Sequence, residues 1–280
     1  IGHSEEGLSR CRNTMLQNWN DLIAQKLATA ANRRAAMDLV TITNDVSALR
    51  DCDIVFEAVS EDVNIKQRVY SIITEVCGRD IIVVSTTSSI DAAILAEKIE
   101  NPARFLIAHP FQPVHMLPLV EVVRHTETSE ETLNQVCTLL KDLNRQVVML
   151  NRSVPGFLVN RFAQALFRES IYLIEQGITT AADIDRAIKY AVGMRYASIG
   201  LLEYYDAVGF ELERAIALNV YPDLCDTKSI QLWWGLPPGA RGKRRAKDSM
   251  IGLKRTRMTS DTGSRLPILR ASGNGICRSE

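Results

Sequence analysis

A histidine and a glutamate twelve residues apart are the side chains of this sequence best suited to acid–base chemistry. His109 follows the short apolar run Phe105–Ala108 and opens a Pro-rich turn, whereas Glu121 lies inside a second apolar run. An imidazole changes its charge near neutral pH, and a neighbouring carboxylate can orient it. The pair therefore has two interpretations: a general acid/base couple, or an ordinary hairpin whose His and Glu face solvent.

Alternating apolar and helical segments must position this pair. Nearly continuous apolar runs are typical of strands that are buried on both faces of a parallel sheet. The first half of the chain is therefore predicted to form a parallel α/β sheet with helices between most of its strands. Strands are predicted at Val40–Thr43, directly after Asp53, at Ile81–Val84, at Phe105–Ala108 and at Gln146–Leu150.

Polar side chains gather where three successive predicted strands end. Glu57 and Glu61 follow the first of these strands, Ser85 to Ser89 follow the second, and His109 follows the third. Ligands of parallel sheets bind at the carboxyl ends of the strands. This edge of the sheet is therefore predicted to carry a binding site rather than three unrelated loops.

The sequence changes character at two places. Near Ser153 the apolar spacing becomes helical, which predicts a boundary between residues 1–152 and an all-helical segment, 153–230. Residues 231–280 carry eleven Lys/Arg against three Asp/Glu, which leaves 22 Lys/Arg and 30 Asp/Glu in the first 230 residues. This basic end has three interpretations: a disordered tail, an aberrant carboxyl end, or an arm that binds nucleic acid or another acidic surface.

Composition narrows the class of protein. The chain has 280 residues, of which 46% are hydrophobic and 24% charged, as is typical of a soluble globular protein. A net charge of zero argues against nucleic acid as the main partner. The six cysteines lack metal-ligand spacing, so no metal site is predicted, and they indicate reduced thiols in a cytoplasmic protein. No apolar run reaches the roughly 18 residues of a membrane span, and no signal peptide is visible.

Five segments occur in the order and at the spacing of a known family, the NAD-dependent L-3-hydroxyacyl-CoA dehydrogenases. They are F-E-A-V-S-E-D, S-T-T-S-S-I, H-P-F-Q-P-V-H-M-L-P-L-V-E-V-V, V-P-G-F-L-V-N-R and G-M-R-Y-A-S-I-G. Between about residues 4 and 230 the chain resembles this family, which also contains 3-hydroxybutyryl-CoA dehydrogenase, carnitine 3-dehydrogenase and lambda-crystallin, an L-gulonate 3-dehydrogenase. The resemblance implies a Rossmann-type NAD-binding domain, a helical substrate and dimerisation domain, and a homodimer that oxidises a small 3-hydroxy acid or acyl-CoA.

The resemblance also implies roles for individual residues. His109 would take the proton of the substrate 3-hydroxyl while hydride passes to the nicotinamide, and Glu121 would orient its imidazole. Ser88 matches a serine that touches substrate and nicotinamide together. Asn160 matches an asparagine that hydrogen-bonds the substrate oxygen; the alternative is a helix-surface residue.

Further matches concern the cofactor and the choice of substrate. Glu61 and Lys66 match residues that contact NAD around its ribose and nicotinamide, and Gln112 stands where the family commonly has Asn. Arg195 lies in a segment that resembles the carnitine and lambda-crystallin branch, where a guanidinium would suit a free substrate carboxylate. The sequence leaves open whether the substrate is an acyl-CoA or a short gulonate- or carnitine-like 3-hydroxy acid.

One element of the resemblance is missing. The sequence contains no G-x-G-x-x-G followed by a helix, the turn whose backbone amides hold the pyrophosphate of a dinucleotide. Aligned on the family, the chain begins at the end of the second strand. The prediction is therefore an incomplete Rossmann-type sheet without its first strand, glycine turn and first helix, about 30 residues of a βαβ unit. Two explanations remain: a fragment of a complete enzyme, or an inactive or crystallin-like homologue.

The missing turn predicts that these 280 residues bind NAD weakly and turn over substrate poorly or not at all. Calorimetric titration of the 280-residue chain with NAD is expected to give a dissociation constant weaker than micromolar. Micromolar affinity would show that the glycine turn is not essential for holding the cofactor.

Overall fold

A computed structural model of the protein describes residues 1–2 and 4–229. The chain opens with two helices, α1 (Glu5–Ala24) and α2 (Ala30–Asp38), neither of which buries a residue. Ser4 caps α1 by accepting a hydrogen bond from the Gly7 amide, which satisfies one of the unpaired amides at the helix start. The whole basic end that the sequence predicts, residues 231–280, lies outside the described residues.

A five-stranded sheet follows, with its strands side by side in chain order. The first three strands are parallel, β4 is antiparallel to β3, and β5 is parallel to β4. The predicted α/β sheet is thus confirmed as a mostly parallel one. Its strands are β1 (Ile54–Glu57), β2 (Ile82–Ser85), β3 (Phe105–Pro110), β4 (Leu119–Arg124) and β5 (Gln146–Leu150).

The antiparallel strand has a simple physical cause. Only residues 111–118 connect β3 to β4, whereas a parallel return needs a crossover of about a dozen residues or more. The short return makes a hairpin, and its register places His109 directly opposite Glu121.

The prediction of a strand at Val40–Thr43 is wrong. These residues form no strand, and the sheet of the described chain begins with β1. The Thr43 carbonyl accepts one backbone hydrogen bond, from the Gly2 amide at 3.0 Å. Without a neighbouring strand to form a ladder, β-branched composition alone does not produce a strand.

Helices cover both faces of the sheet. Side chains alternate along each strand, so Phe105 and Ile107 join one apolar cluster while Leu106 joins the other. The first cluster packs under α3 (Val63–Cys77) and α4 (Ala92–Ala96), and the second packs under α5 (Glu130–Asp142). The strands that end at the polar edge are therefore fixed from both sides.

The rest of the described chain is helical, as predicted. α6 ends before Gly177, whose φ of 69° suits the left-handed conformation that terminates a helix. A π-helical turn, Ile188–Val192, joins α7 to α8. The helices are α6 (Val159–Glu175), α7 (Ala181–Ala187), α8 (Gly193–Ser198), α9 (Leu201–Val208) and α10 (Phe210–Val220).

These helices bury few residues of their own. Between residues 153 and 229 the buried side chains are those of Phe157, Ile171 and Cys225. Many large apolar side chains are exposed instead, among them Phe162, Leu166, Phe210, Leu212, Ile216 and Leu218.

No helix of the described chain combines the length and the apolar character needed to cross a bilayer.

Shortening a core side chain of β3, the strand that contains His109, should destabilise the fold. Leu106 is fully buried, so Leu106→Ala leaves a cavity and is expected to cost about 2–5 kcal/mol of unfolding free energy. Leu39 is 88% exposed, and the control Leu39→Ala should change stability by less than about 0.5 kcal/mol. Urea denaturation of the three proteins measures both effects, and equal losses would contradict the assignment of the core.

Candidate active site

The His109–Glu121 pair forms a direct buried contact. His109 Nδ1 lies 2.9 Å from Glu121 Oε2, within hydrogen-bonding distance. Glu121 is fully buried, and His109 is 7% exposed. The hairpin register therefore brings together the two residues that the sequence singled out, and the interpretation of two solvent-facing side chains is wrong.

Glu121 also binds the start of a helix. Its Oε1 accepts hydrogen bonds from the backbone amides of Leu158, at 2.9 Å, and Val159, at 2.8 Å, where α6 begins. These amides have no partner within the helix, and the positive end of the helix dipole favours a carboxylate there. One side chain thus links β4, the imidazole and the helix that continues into Asn160.

Two aromatic rings enclose the imidazole of His109. The ring of Phe111 lies 4.6 Å away between centroids, edge-on, and that of Phe157 lies 5.5 Å away. Phe157 is buried and has φ of 48°, a conformation uncommon for a bulky residue. With Nδ1 donating to Glu121, the imidazole has Nε2 as its remaining acceptor, which can take a proton from a bound hydroxyl.

Glu61 fastens the serine-rich loop that follows β2. Its Oε1 accepts from Thr87 Oγ1 at 2.6 Å, from the Ser88 amide at 3.0 Å and from the Ser89 amide at 3.1 Å. Burial alone would raise the pKa of this carboxyl, but hydrogen bonds from the Thr87 hydroxyl, the Ser88 amide and the Ser89 hydroxyl, together with the nearby Lys66, outweigh it and lower the pKa to about 2. Glu61 is therefore ionised throughout the neutral range and pins Ser88.

Lys66, for which the family resemblance implies a contact with the cofactor, is 1% exposed. Its ammonium lies 2.9 Å from Glu57 Oε1, 3.3 Å from the Val59 carbonyl and 3.4 Å from Glu61 Oε2. These contacts tie the end of β1 to the loop that bears Glu61.

Glu57 is the centre of a buried polar cluster that sequence reasoning missed. Tyr70 and Ser85 each donate a hydrogen bond of 2.8 Å to its Oε2. Burial raises the pKa of the Tyr70 hydroxyl, and the Glu57 charge adds to the rise, so Tyr70 remains a donor. The sequence placed Glu57 at a strand end, but no local signal indicated which side chains it would bind.

The other predicted site residues lie on exposed or half-buried segments. Gln112 is exposed, in the turn that follows β3, and Arg145 holds this turn by donating to the carbonyls of Val114 and Leu117. Arg195 is exposed on α8, with its guanidinium carbon 4.4 Å from the centre of the Tyr204 ring. Within the described chain, no hydrogen bond or ion pair joins Arg195 to the His109 pair.

A cleft of about 490 Å³ opens beside Asn160. Three cationic side chains lie among its walls, and none of its lining residues is Asp or Glu. Besides Asn160 the lining includes Pro155, Gly156, Arg161, Arg168 and Lys228. The cleft therefore has the charge to take an anionic group.

Polar groups at three adjacent strand ends suit the nicotinamide and ribose end of a dinucleotide. Glu61 follows β1, Ser88 follows β2, and Gln112 follows β3, so a carboxylate, a hydroxyl and an amide follow neighbouring strands at one edge of the sheet. The glycine turn that would hold the pyrophosphate is not part of this sequence. Among the residues that the structure describes, no group of His, Cys, Asp or Glu could hold a metal ion.

The fold and the site define an α/β chain of the dehydrogenase type, with a His–Glu pair where the sheet meets the helices. Comparison with known families identifies which type. Residues 1–153 match the NAD binding domain of 3-hydroxyacyl-CoA dehydrogenase, and residues 156–235 match its C-terminal domain. The chain belongs to the 3-hydroxyacyl-CoA dehydrogenase family.

Proteins similar to this chain include dehydrogenases named for different substrates. The chain is 33% identical to an L-carnitine dehydrogenase of Bacillus cereus over 68% of its own length, and it spans 58% of that relative. It is 30% identical to a 3-hydroxybutyryl-CoA dehydrogenase of Clostridioides difficile, covering 80% of this chain and 79% of the relative. The crystal structure of an NAD⁺-dependent 5-formyl-3-hydroxy-2-methylpyridine 4-carboxylic acid 5-dehydrogenase superposes with TM-score 0.74 at 28% identity, covering 82% and 74% of the two chains.

The depressed pKa of Glu61 predicts a pH-dependent contribution to stability. A carboxyl whose folded pKa lies below its unfolded value stabilises the fold above the unfolded pKa, near 4.5, and loses this effect as the pH falls through about 2. The stability difference between wild type and Glu61→Gln should be constant at neutral pH and shrink in that acidic range. Denaturation at several pH values measures it, with the exposed Glu97→Gln as control; a difference that grows on acidification would contradict the assignment.

Proposed function

We propose that the protein is an NAD-dependent dehydrogenase that oxidises the 3-hydroxyl of a 3-hydroxyacyl-CoA or of a short 3-hydroxy acid to the ketone. The observation that carries this proposal is the buried 2.9 Å contact between His109 and Glu121 at the carboxyl end of β3. Membership of the family supports NAD as the cofactor, because the first 153 residues match its NAD binding domain.

In this proposal His109 is the general base. Its Nε2 takes the proton of the substrate hydroxyl, while Glu121 holds the Nδ1–H tautomer and stabilises the imidazolium that forms. NAD, when bound, would accept the hydride from the substrate carbon that bears this hydroxyl. The Glu121 carboxylate stays in place because the amides of Leu158 and Val159 hold its second oxygen.

The neighbouring strand ends position the two reactants. We assign Ser88 to contact both substrate and nicotinamide, and Asn160 to hydrogen-bond the substrate oxygen from the start of α6. Glu61, Lys66 and Gln112 are assigned to the cofactor side of the same edge. Support comes from the location of Glu61, Ser88 and Gln112 after adjacent strands and from the contact of Glu61 with the Ser88 amide at 3.0 Å.

The substrate is proposed to carry an anionic group. The cleft beside Asn160 contains Arg161, Arg168 and Lys228 and no Asp or Glu, which suits a carboxylate or a phosphate. Relatives named for carnitine and for hydroxybutyryl-CoA act on substrates of these two kinds. Arg195 is the second candidate for a free carboxylate, and its stacking on Tyr204 leaves guanidinium N–H groups available.

We further propose that residues 1–152 form the cofactor domain and that residues 153–230 form a substrate and dimerisation domain of a cytoplasmic homodimer. The two segments matched by the family, 1–153 and 156–235, support this division. The exposed apolar side chains of α6 and α10, such as Phe162, Phe210 and Leu218, support an interface on the helical domain.

Replacing the proposed base tests the function. His109→Gln is expected to lower turnover on the order of 10²–10⁴-fold, because proton abstraction loses its acceptor. Glu121→Gln should lower turnover by a larger factor than it changes KM, because the amide of the new glutamine no longer fixes the tautomer of the His109 imidazole. NADH formation from carnitine, gulonate or 3-hydroxybutyryl-CoA measures these effects, at NAD concentrations raised to offset the weak binding predicted for this chain.

His125→Gln is the matched control, because His125 lies in the turn after β4 and, among the described residues, its hydrogen bonds stay within that turn. Its turnover should equal that of wild type. Turnover that His109→Gln leaves intact would overturn the proposal. Binding of NAD and substrate without any turnover would favour the non-catalytic, crystallin-like alternative.

A further inference from the structure

We infer that Cys52 and Cys77 form a thiol-exchange site, which reacts with a small disulfide such as glutathione disulfide and closes into an internal disulfide. Cys52 precedes β1, and Cys77 is the last residue of α3, so the site lies at the amino end of β1. His109 and Glu61 lie at the opposite edge, where the strands end. The inference is independent of the proposed function, because it requires neither NAD nor turnover.

The two cysteines meet at one carbonyl oxygen. The Leu49 carbonyl accepts a hydrogen bond from the Cys52 amide at 3.0 Å and another from the Cys77 thiol at 3.3 Å. The Cys52 thiol lies 3.8 Å from the Ala48 carbonyl, in the same turn. Leu49 and Cys77 both pack against the apolar cluster that lies under α3 and α4. The Cys77 thiol is thus held beside the turn that carries Cys52.

The backbone on each side of the pair has room to adjust. A disulfide joins Cα atoms that are roughly 4–7 Å apart, so closure requires that the two segments are not locked by packing. Residues 50–53 are all exposed and precede Val55, the first buried residue of β1. At the other segment, Gly78 follows α3 with φ of 83° and open space where a side chain would stand. Both segments can therefore shift to bring the two sulfurs together.

The two thiols differ in how they react. Cys52 is exposed, so a dissolved disulfide can reach its sulfur. Cys77 is half-buried; burial raises the pKa of its thiol, and the neighbouring Cys52 adds to the rise. Because the thiolate is the nucleophile, a thiol with a raised pKa is a poor first attacker. Cys52 is therefore the attacking thiol, and Cys77 is the thiol that resolves the mixed disulfide.

Closure takes two exchanges. The Cys52 thiolate attacks one sulfur of glutathione disulfide, so the S–S bond of the reagent breaks, a mixed disulfide forms at Cys52 and one glutathione thiolate leaves. The Cys77 thiol then loses its proton to water, attacks the Cys52 sulfur and releases the second glutathione. The departing thiolates take up the protons that the two cysteines lost. The cysteine pair is oxidised to one disulfide, and the reagent is reduced to two glutathione thiols.

Incubation of the folded chain with glutathione disulfide, followed by alkylation and peptide mapping by mass spectrometry, tests the assignment. Wild type is expected to give a cross-linked Cys52–Cys77 peptide. Cys77→Ser should instead retain one glutathione on Cys52, because the resolving thiol is absent, whereas Cys52→Ser should leave Cys77 as a thiol. The matched control Cys11→Ser removes an exposed thiol on α1 and should leave the link unchanged.

Two results of this experiment would overturn the inference. One is a wild type that retains glutathione on Cys52 without linking it to Cys77, and the other is modification of Cys77 in Cys52→Ser. Repeating the exchange in concentrated urea checks that the fold selects the pair. An unfolded chain with six cysteines should pair them in several ways. An equal proportion of the Cys52–Cys77 link in both conditions would therefore also count against the site.

The stability of the oxidised protein gives an independent measurement. The proposed disulfide closes a ring that contains all of β1 and α3. Such a ring restricts the unfolded chain, so oxidised wild type should unfold at a higher urea concentration than the reduced protein. Cys52→Ser, treated in the same way, should show no such rise. An unchanged or lowered midpoint in cross-linked wild type would contradict the inferred geometry, because a strained link costs native stability.

Discussion

The site depends on one buried carboxylate, that of Glu121. Charge in a protein interior is costly unless donors replace the lost water, and here the replacements come from two parts of the fold. The imidazole of His109 binds one oxygen, and the first amides of α6 bind the other. The contact that orients the histidine is therefore also the contact that seats a helix on the sheet, so neither can change independently.

Glu57 links two parallel strands to a helix, as Glu121 links the hairpin to the start of α6. Both carboxylates are buried, and both accept bonds from a neighbouring strand and from a helix or the segment that begins one. They differ in the charge of their partners. Glu121 meets an imidazole and backbone amides, whereas Glu57 meets the ammonium group of Lys66. The first arrangement suits proton transfer, and the second suits rigidity.

The sequence predicted the elements better than the side-chain partners. The strands after Asp53, at Ile81–Val84, at Phe105–Ala108 and at Gln146–Leu150 were predicted to within about two residues, because apolar runs report burial directly. Val40–Thr43 failed, since a strand also needs a partner that local composition does not reveal. The Glu57 cluster was missed because Lys66, Tyr70 and Ser85 lie 9 to 28 residues from Glu57 along the chain. Likewise, the spacing of Lys66 could not show which side of α3 it faces.

The two groups of proposed site residues differ in how firmly they are held. His109 and Glu121 stand on the β3–β4 hairpin and share a buried contact, whereas Ser88 is held by the exposed carboxylate of Glu61. Arg161, Arg168 and Arg195 lie on exposed helices, where substitutions leave the packing of the sheet intact. In the proposed function, the acid–base pair is therefore constrained by packing, whereas the residues assigned to the anionic end of the substrate are not.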